Sequence, residues 1–304
     1  MKAGFSKKIL PSPLDIKLDG YAARFEYPKG VHDNLYVRTL VLEVGDRRIV
    51  LASYDLLGLD GRFVEELENV IKREKLADFV IINTTHTHSA TATGLFRPTK
   101  TWWWESIKSA TLDTIREAYR TMKEARIWCS SGEVKGVFIN RRNLKGPYDP
   151  EIPVVKIADE DDNYISLVVS AACHAVVLGP SNLYVSADYP GALCSFVEKN
   201  LGGGCIFLQG YGGDINPLDA TTNLEKVYAR HGTFREVERL GRVIGSEAVK
   251  IAETLFRNNL EEDVSYYEER LKLRVENIPP PEESWRKYQQ ALEKIKKSAE
   301  YEEK

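Results

Sequence analysis

Four runs of apolar residues dominate the hydrophobic pattern, and each ends on a side chain capable of proton or metal chemistry. Ile49-Val50-Leu51-Ala52-Ser53-Tyr54 runs to Asp55, and Phe79-Val80-Ile81-Ile82-Asn83-Thr84-Thr85 runs to His86-Thr87-His88. Ile165-Ser166-Leu167-Val168-Val169-Ser170-Ala171-Ala172-Cys173 runs to His174, and Cys205-Ile206-Phe207-Leu208-Gln209 leads through a glycine-rich turn to Asp214. Runs of this length, rich in Val, Ile and Leu, read as strands buried on both faces in a helix-covered sheet. Between them apolar residues recur at helical spacing. Phe63, Leu67, Val70 and Ile71 share a face over residues 62–76, as do Ile107, Ile115, Ala118 and Met122 over 105–125. Pro190-Gly191 opens a helix through Leu193, Phe196 and Val197, and the longest helix is predicted over 234–256. Alternating strands and helices predict an α/β fold, a mixed sheet core flanked by helices.

Beyond Asn259 the pattern changes. Residues 264–275 read as a strand, Pro279-Pro280-Pro281 breaks the chain, and 282–304 reads as a charged amphipathic helix carrying Trp285, Tyr288, Leu292 and Ile295. No internal repeat or flexible linker precedes residue 260.

Composition narrows the function classes. Hydrophobic residues make up 43% and charged residues 29% of the 304, with a formal net charge of -3, so there is no basic footprint for nucleic acid. No apolar stretch is long enough to span a bilayer, and the first eight residues lack the apolar segment of a secretory signal. The four cysteines show no C-x-x-C pairing, and three sit in apolar contexts that suit reduced thiols. A cytoplasmic protein is the expectation.

Ligands of open α/β sheets gather at the carboxyl ends of the strands. Asp55, His86, His88, His174 and Asp214 are all delivered there. In an extended strand, residues two apart share a face, so His86 and His88 are expected to project together. Imidazole is a common zinc ligand, and a metal site at this sheet edge follows. The Leu201-Gly202-Gly203-Gly204 stretch precedes a strand instead of following one, the wrong order for a phosphate loop.

Several segments resemble the catalytic N-terminal domain of the neutral/alkaline non-lysosomal ceramidases. Asn83-Thr84-Thr85-His86-Thr87-His88-Ser89 is similar to a T-H-T-H-S-G segment, and Phe138-Ile139-Asn140-Arg141-Arg142 to an N-R-S segment. Cys173-His174, with Ser186-Ala187-Asp188 further on, resembles a C-H-P segment and a later S-x-D. Gln209-Gly210-Tyr211-Gly212-Gly213-Asp214-Ile215-Asn216-Pro217 resembles G-D-V-S-P-N. The order of motifs is kept over about the first 260 residues. A single ceramidase-like domain over 1–304 is the expected organisation.

The resemblance implies zinc-dependent hydrolysis of an N-acyl amide. His86 and His174 would be zinc ligands, His88 a second essential histidine beside the metal, and Arg141 a contact for substrate or oxyanion. Asn216 stands where the family has Ser; it can donate a hydrogen bond but cannot be a nucleophile. The family's remaining ligands, a Glu and a Tyr, belong to segments not found in these 304 residues. Asp55, Asp188 or Asp214, or a downstream chain or second protomer, is therefore expected to complete the site. The expected substrate is a small N-acyl compound, not necessarily ceramide. The alternative is an incomplete or non-catalytic metal-binding domain. Trp102-Trp103-Trp104 is read as packing, not pocket.

Overall fold

The alternation of side chains along the strands sorts the described ones into two large sheets, two short strand pairs and three apolar cores. In this computed structural model, residues 1–219, 222, 224, 232–255, 266–269, 272 and 279–302 are described. They divide into two compact units, Met1–Val264 and Ser265–Lys304.

In chain order the first unit contains β1 (Lys2–Leu10), β2 (Gly30–Val31), β3 (Leu35–Val44), β4 (Arg47–Tyr54), α1 (Gly61–Arg73), β5 (Phe79–Thr84), α2 (Thr101–Arg120), β6 (Lys123–Glu124), β7 (Arg126–Glu133) and β8 (Phe138–Asn140). Then follow β9 (Glu151–Ala158), β10 (Tyr164–Ala171), β11 (Tyr184–Val185), α3 (Asp188–Leu201), β12 (Gly204–Gln209), β13 (Ile215–Pro217) and α4 (Phe234–Thr254). One sheet has the order β5-β4-β3-β1-β6 and another β12-β10-β9-β7; β2 pairs with β11 and β8 with β13. The fold is mixed α/β, with its helices against its sheets.

Each large sheet contains one parallel pair, β4 with β5 across α1 and β10 with β12 across α3. Parallel neighbours need such a crossover, and it places the carboxyl ends of both strands at the same edge. The four runs are thus divided between two sheets. A strand buried on both faces fits equally well under helices on two sides or between a helix layer and a second sheet. Here the second holds. On β4, Val50, Ala52 and Tyr54 join a core with Phe63 and Leu67 of α1 and Trp103, Ile107 and Ile115 of α2. On β12, Cys205 and Phe207 join a core with Leu193 and Val197 of α3 and Leu240 and Ile244 of α4. The alternate residues Leu40, Val168 and Ile206 form a third core with Ala3 and Ile157 between the sheets. Ser53 Oγ donates to Phe207 O across that layer at 2.7 Å.

Close packing explains the glycine stretch. Gly202 caps α3 at φ 78°, and a Cβ on Gly204 would lie 2.2 Å from the Phe5 ring. These glycines serve a helix end and a tight contact. Trp103 is fully buried, whereas Trp102 is 46% exposed. The helix expected over 105–125 spans Thr101–Arg120 instead, because Lys2 and Ala3 recruit Glu124 and Lys123 as an edge strand. β5 is also an edge, and Ile81 is 44% exposed there.

In the second unit, α5 (Pro281–Glu302) bears Trp285 stacked on Tyr288 with centroids 5.4 Å apart. The strand expected over 264–275 falls mostly outside the described residues. No described helix is long and apolar enough to cross a membrane.

Candidate metal centre

His86 follows β5 and His174 follows β10, so each parallel pair contributes one imidazole just past its carboxyl edge. His88 comes from the same loop as His86. The two do not share a face through strand pleating, because β5 ends at Thr84 and His86 has a positive φ of 60°. That left-handed backbone is costly for a residue with a Cβ, and it turns the loop so that both rings meet. Backbone bonds fix the loop: His86 N donates to Leu56 O at 3.0 Å, His88 N to Ala175 O at 3.1 Å, and His174 N to Ile215 O at 3.0 Å.

The three rings stand edge to face, with centroids 5.1 Å apart for His86 and His88, 4.8 Å for His86 and His174, and 5.4 Å for His88 and His174. One ligand nitrogen from each lies within 4.8 Å of the others. His86 Nδ1 faces Leu57 O at 2.8 Å, and His174 Nδ1 faces Gly212 O. A carbonyl only accepts, so both Nδ1 atoms carry the proton and both Nε2 atoms present a lone pair. Neither ring nitrogen of His88 has a hydrogen-bond partner among the described residues, although the ring is buried. An orphaned buried imidazole beside two oriented ones is a donor set that suits a divalent metal, with the carbonyls as its outer support.

Electrostatics favour the neutral, ligating form. Burial lowers the pKa of all three rings: His174 to about 4 and His88 to about 2, while for His86 the direction is also downward. Arg141 adds to the downward push on each.

Arg141 is placed by two motifs that pair directly. β8 and β13 run antiparallel with Ile215 opposite Asn140 and Asn216 opposite Ile139. Arg141 N then donates to Asp214 O at 2.7 Å, its Nη2 to Gly213 O at 2.8 Å and its Nη1 to Asn216 Oδ1 at 3.4 Å. Arg142 is exposed. Asp214 accepts from Asn140 Nδ2 at 2.7 Å, and its charge raises the pKa of His174.

A cavity of about 500 Å³ opens beside His86 and His88, walled by Asp19, Gly20, Tyr21, Leu57, Phe96 and Arg97 among others. Asp19, Gly20, Tyr21 and Ala22 of this wall belong to a strap, residues 18–24, that lies over His88. Asp19 N donates to Ala90 O at 2.9 Å. The buried Arg24 donates from Nη2 to the carbonyls of Asp19 and His88, and Arg97 Nη2 donates to Tyr21 O at 2.7 Å. Tyr21 meets the His88 ring edge-on at 4.9 Å.

The model of the neutral/alkaline non-lysosomal ceramidase N-terminal domain matches residues 7–219, well over half of the chain. The chain belongs to that family. Its fold is similar to that in the crystal structure of neutral ceramidase from Pseudomonas aeruginosa, with a TM-score of 0.73 at 19% identity, over 83% of this chain and 45% of that one. A ceramidase structure described as complexed with C2 is similar at TM-score 0.71 and 18% identity, over 83% of this chain and 44% of the other. This ceramidase-family chain thus spans less than half the length of the proteins it resembles in fold.

Of the residues that sequence reasoning singled out, the structure gathers His86, His88 and His174, with Arg141, Asn216 and Asp214 on one flank. It draws two aspartates away. Asp55 is fully buried and held by Arg38 Nη1 at 2.6 Å and by the Tyr36 amide at 2.9 Å. Asp188 accepts from the amides of Val177 at 3.3 Å and Leu178 at 3.1 Å. Both carboxylates tie the backbone together behind the site, and neither joins the histidines as a ligand among the described residues. His88, expected beside the metal as a second essential histidine, lies in the same cluster, with a ring nitrogen within 4.8 Å of those of His86 and His174. Asp19, Tyr21, Arg24 and Arg97 were missed. Their segment has no periodic pattern, and the buried role of its charges follows from contacts distant in sequence.

Proposed function

We propose that this chain is a zinc-dependent hydrolase of an N-acyl amide bond, in keeping with its membership of the ceramidase family. The observation that carries the reading is the convergence of three neutral imidazoles, the usual number of protein ligands in a catalytic zinc site. Nitrogen donors at this spacing suit zinc better than magnesium or calcium, which prefer oxygen. When bound, such an ion would lower the pKa of a water and polarise the amide carbonyl.

The chain's own residues divide the remaining work. Leu57 and Gly212 hold the rings of His86 and His174 by their Nδ1 protons. His88 stays unprotonated across the neutral range because burial and its neighbours oppose a charge there. Arg141 offers a delocalised positive charge beside the three rings, suited to a negative oxygen forming on the substrate. Asn216, aligned against Arg141, orients the guanidinium and supplies a neutral polar group. The cavity beside His86 would take the substrate, a linear N-acyl amide of which ceramide is one member.

Metal analysis together with hydrolysis tests this. The purified protein supplied with zinc is expected to retain one zinc per chain and to release a fatty acid from a short N-acyl amide. His86→Ala and His174→Ala should lose both. Zinc retained by the histidines with no cleavage would leave a metal-binding domain that needs a further segment or protomer. Cleavage surviving both substitutions would end the reading.

A further inference from the structure

Next to the cavity beside His86 lies a second recess of about 360 Å³, and Arg97 borders both. Its wall carries three cations, Lys17, Arg97 and Lys100, against one carboxylate, Asp15. Lys100 is paired with Asp15. The Arg97 side chain is 17% exposed; its Nη2 donates to Tyr21 O at 2.7 Å and to Ala22 O at 3.3 Å, and its Nε stands 4.0 Å from Asp19 Oδ1. Its Nη1 has no hydrogen-bond partner among the described residues. Lys17 is half-buried and has no carboxylate partner among the described residues; its Nζ lies over the Tyr27 ring, 5.3 Å from the centroid. Thr99 Oγ1, at the same recess, is buried and also without a partner among the described residues.

An ammonium drawn partly out of water against an aromatic ring is stabilised further by an anion. The groups left without partners are an ammonium, one edge of a guanidinium and a hydroxyl, and all three can donate to a charged oxygen. Asp15 answers the charge of Lys100, and Asp19 already faces Arg97, so one full positive charge is left over, that of Lys17. A monoanion such as a carboxylate matches it, whereas a dianionic phosphate exceeds it.

We infer that the recess binds a carboxylate on the amine part of the substrate, with Lys17 as the specificity-determining residue, so that the preferred amides are N-acyl amino acids. The inference rests on the hydrolase reading for its substrate class, and it adds a charged group and the site that takes it. Leu57, Ala22 and Phe96 give the cavity beside His86 an apolar lining suited to the acyl chain, and Arg97 joins that cavity to the recess. Tyr21 bonds Arg97 through its carbonyl and meets the His88 ring at 4.9 Å, so it stands between the two. Carboxylate and amide must therefore be separated by several bonds on the same molecule.

Binding and cleavage, measured in parallel, separate the two readings. The probes are a short N-acyl 4-aminobutyrate and its carboxamide, which has the same shape without the charge, titrated by calorimetry into the zinc-supplied protein. The wild type is expected to bind the carboxylate at least ~10-fold more tightly. Lys17→Ala should bring the carboxylate down to the affinity of the carboxamide, whose own unchanged binding shows that the variant is folded. Lys17→Arg, which keeps the charge, should retain most of the preference. Equal affinity for the two probes in the wild type, or no binding of either, would overturn the inference. A preference that survives Lys17→Ala would place the carboxylate on the zinc or on Arg141, and would overturn it too. Acetate binding as tightly as the acylated probe would make the recess a site for a free anion, again against the inference. Discrimination through Lys17 without cleavage would sustain it and refute the hydrolase reading. Cleavage of both probes with equal affinity would do the reverse.

Discussion

Arg141 carries structural and chemical duties at once, and they are separable by substitution. Its Nη2 contact with Gly213 O steadies the loop whose Gly212 carbonyl holds His174. Loss of that bond alone should cost about 1 kcal/mol of stability. Its charge beside three neutral imidazoles is a larger asset if negative charge develops on the substrate. Arg141→Ala is therefore expected to lower turnover by ~100-fold or more with a small loss of stability. Arg141→Lys should not restore the rate, since a point charge cannot hold Gly213 and Asn216 in a fork and still face the site. Arg142→Ala should behave like wild type because Arg142 is exposed. Steady-state kinetics on the zinc-supplied protein decides this, and equal losses at the two arginines would count against the assignment.

Among the elements, the strap over His88 depends on one backbone position. Gly20 has φ 102°, and a Cβ there would lie 2.5 Å from the His88 ring. Gly20→Ala must displace either the strap or the imidazole, so zinc affinity is expected to fall ~10-fold or more, by analogy with loss of a supporting contact around a metal ligand. Competition with a chromogenic chelator reads this directly; unchanged affinity would show that the strap does not hold His88. The strap also marks the limit of what the sequence makes legible. The strands before His86 and His174 are visible because continuous apolar runs bury both faces, and the motifs after them mark the site. The strap has no such period. The role of Arg24 arises from bonds to carbonyls up to 158 residues away, which no local pattern encodes. Pairing is similarly hidden. Val50 and Ile206 have the same apolar character, yet one packs under helices and the other between sheets. Asp55, at a strand end like the histidines, was drawn inward by Arg38, a partner on β3 that the pattern of strand ends does not reveal.

For the whole molecule, placing three neutral imidazoles at the meeting of two sheets couples the site to global stability. In the metal-free protein, burial lowers all three histidine pKa values from 6.5, to about 4 for His174 and about 2 for His88. The unfolded chain regains ordinary histidines. Below pH 6.5 it therefore binds protons that the folded protein refuses, and stability falls with falling pH, by about 1.4 kcal/mol per pH unit for each such proton. The loss begins near 6.5 and for each ring ends once its folded value is passed. Other charges modulate the window. Arg24 and Arg141 face His88 and add to the downward push, whereas Asp214 supports a charge on His174. Asp19 and Asp55, whose pKa values burial raises, act in the opposite sense at pH values above 3.8. His88→Gln isolates the imidazole contribution, because Gln does not titrate. Urea midpoints in the presence of a chelator, taken from pH 7.5 down to 5, should fall more steeply for wild type than for His88→Gln. Zinc, which binds only the neutral imidazoles, should raise the wild-type midpoint most at the upper end of that range. Parallel curves for the two proteins would mean that His88 is not held neutral by the fold, and the argument for its part in the metal centre would fall with that result.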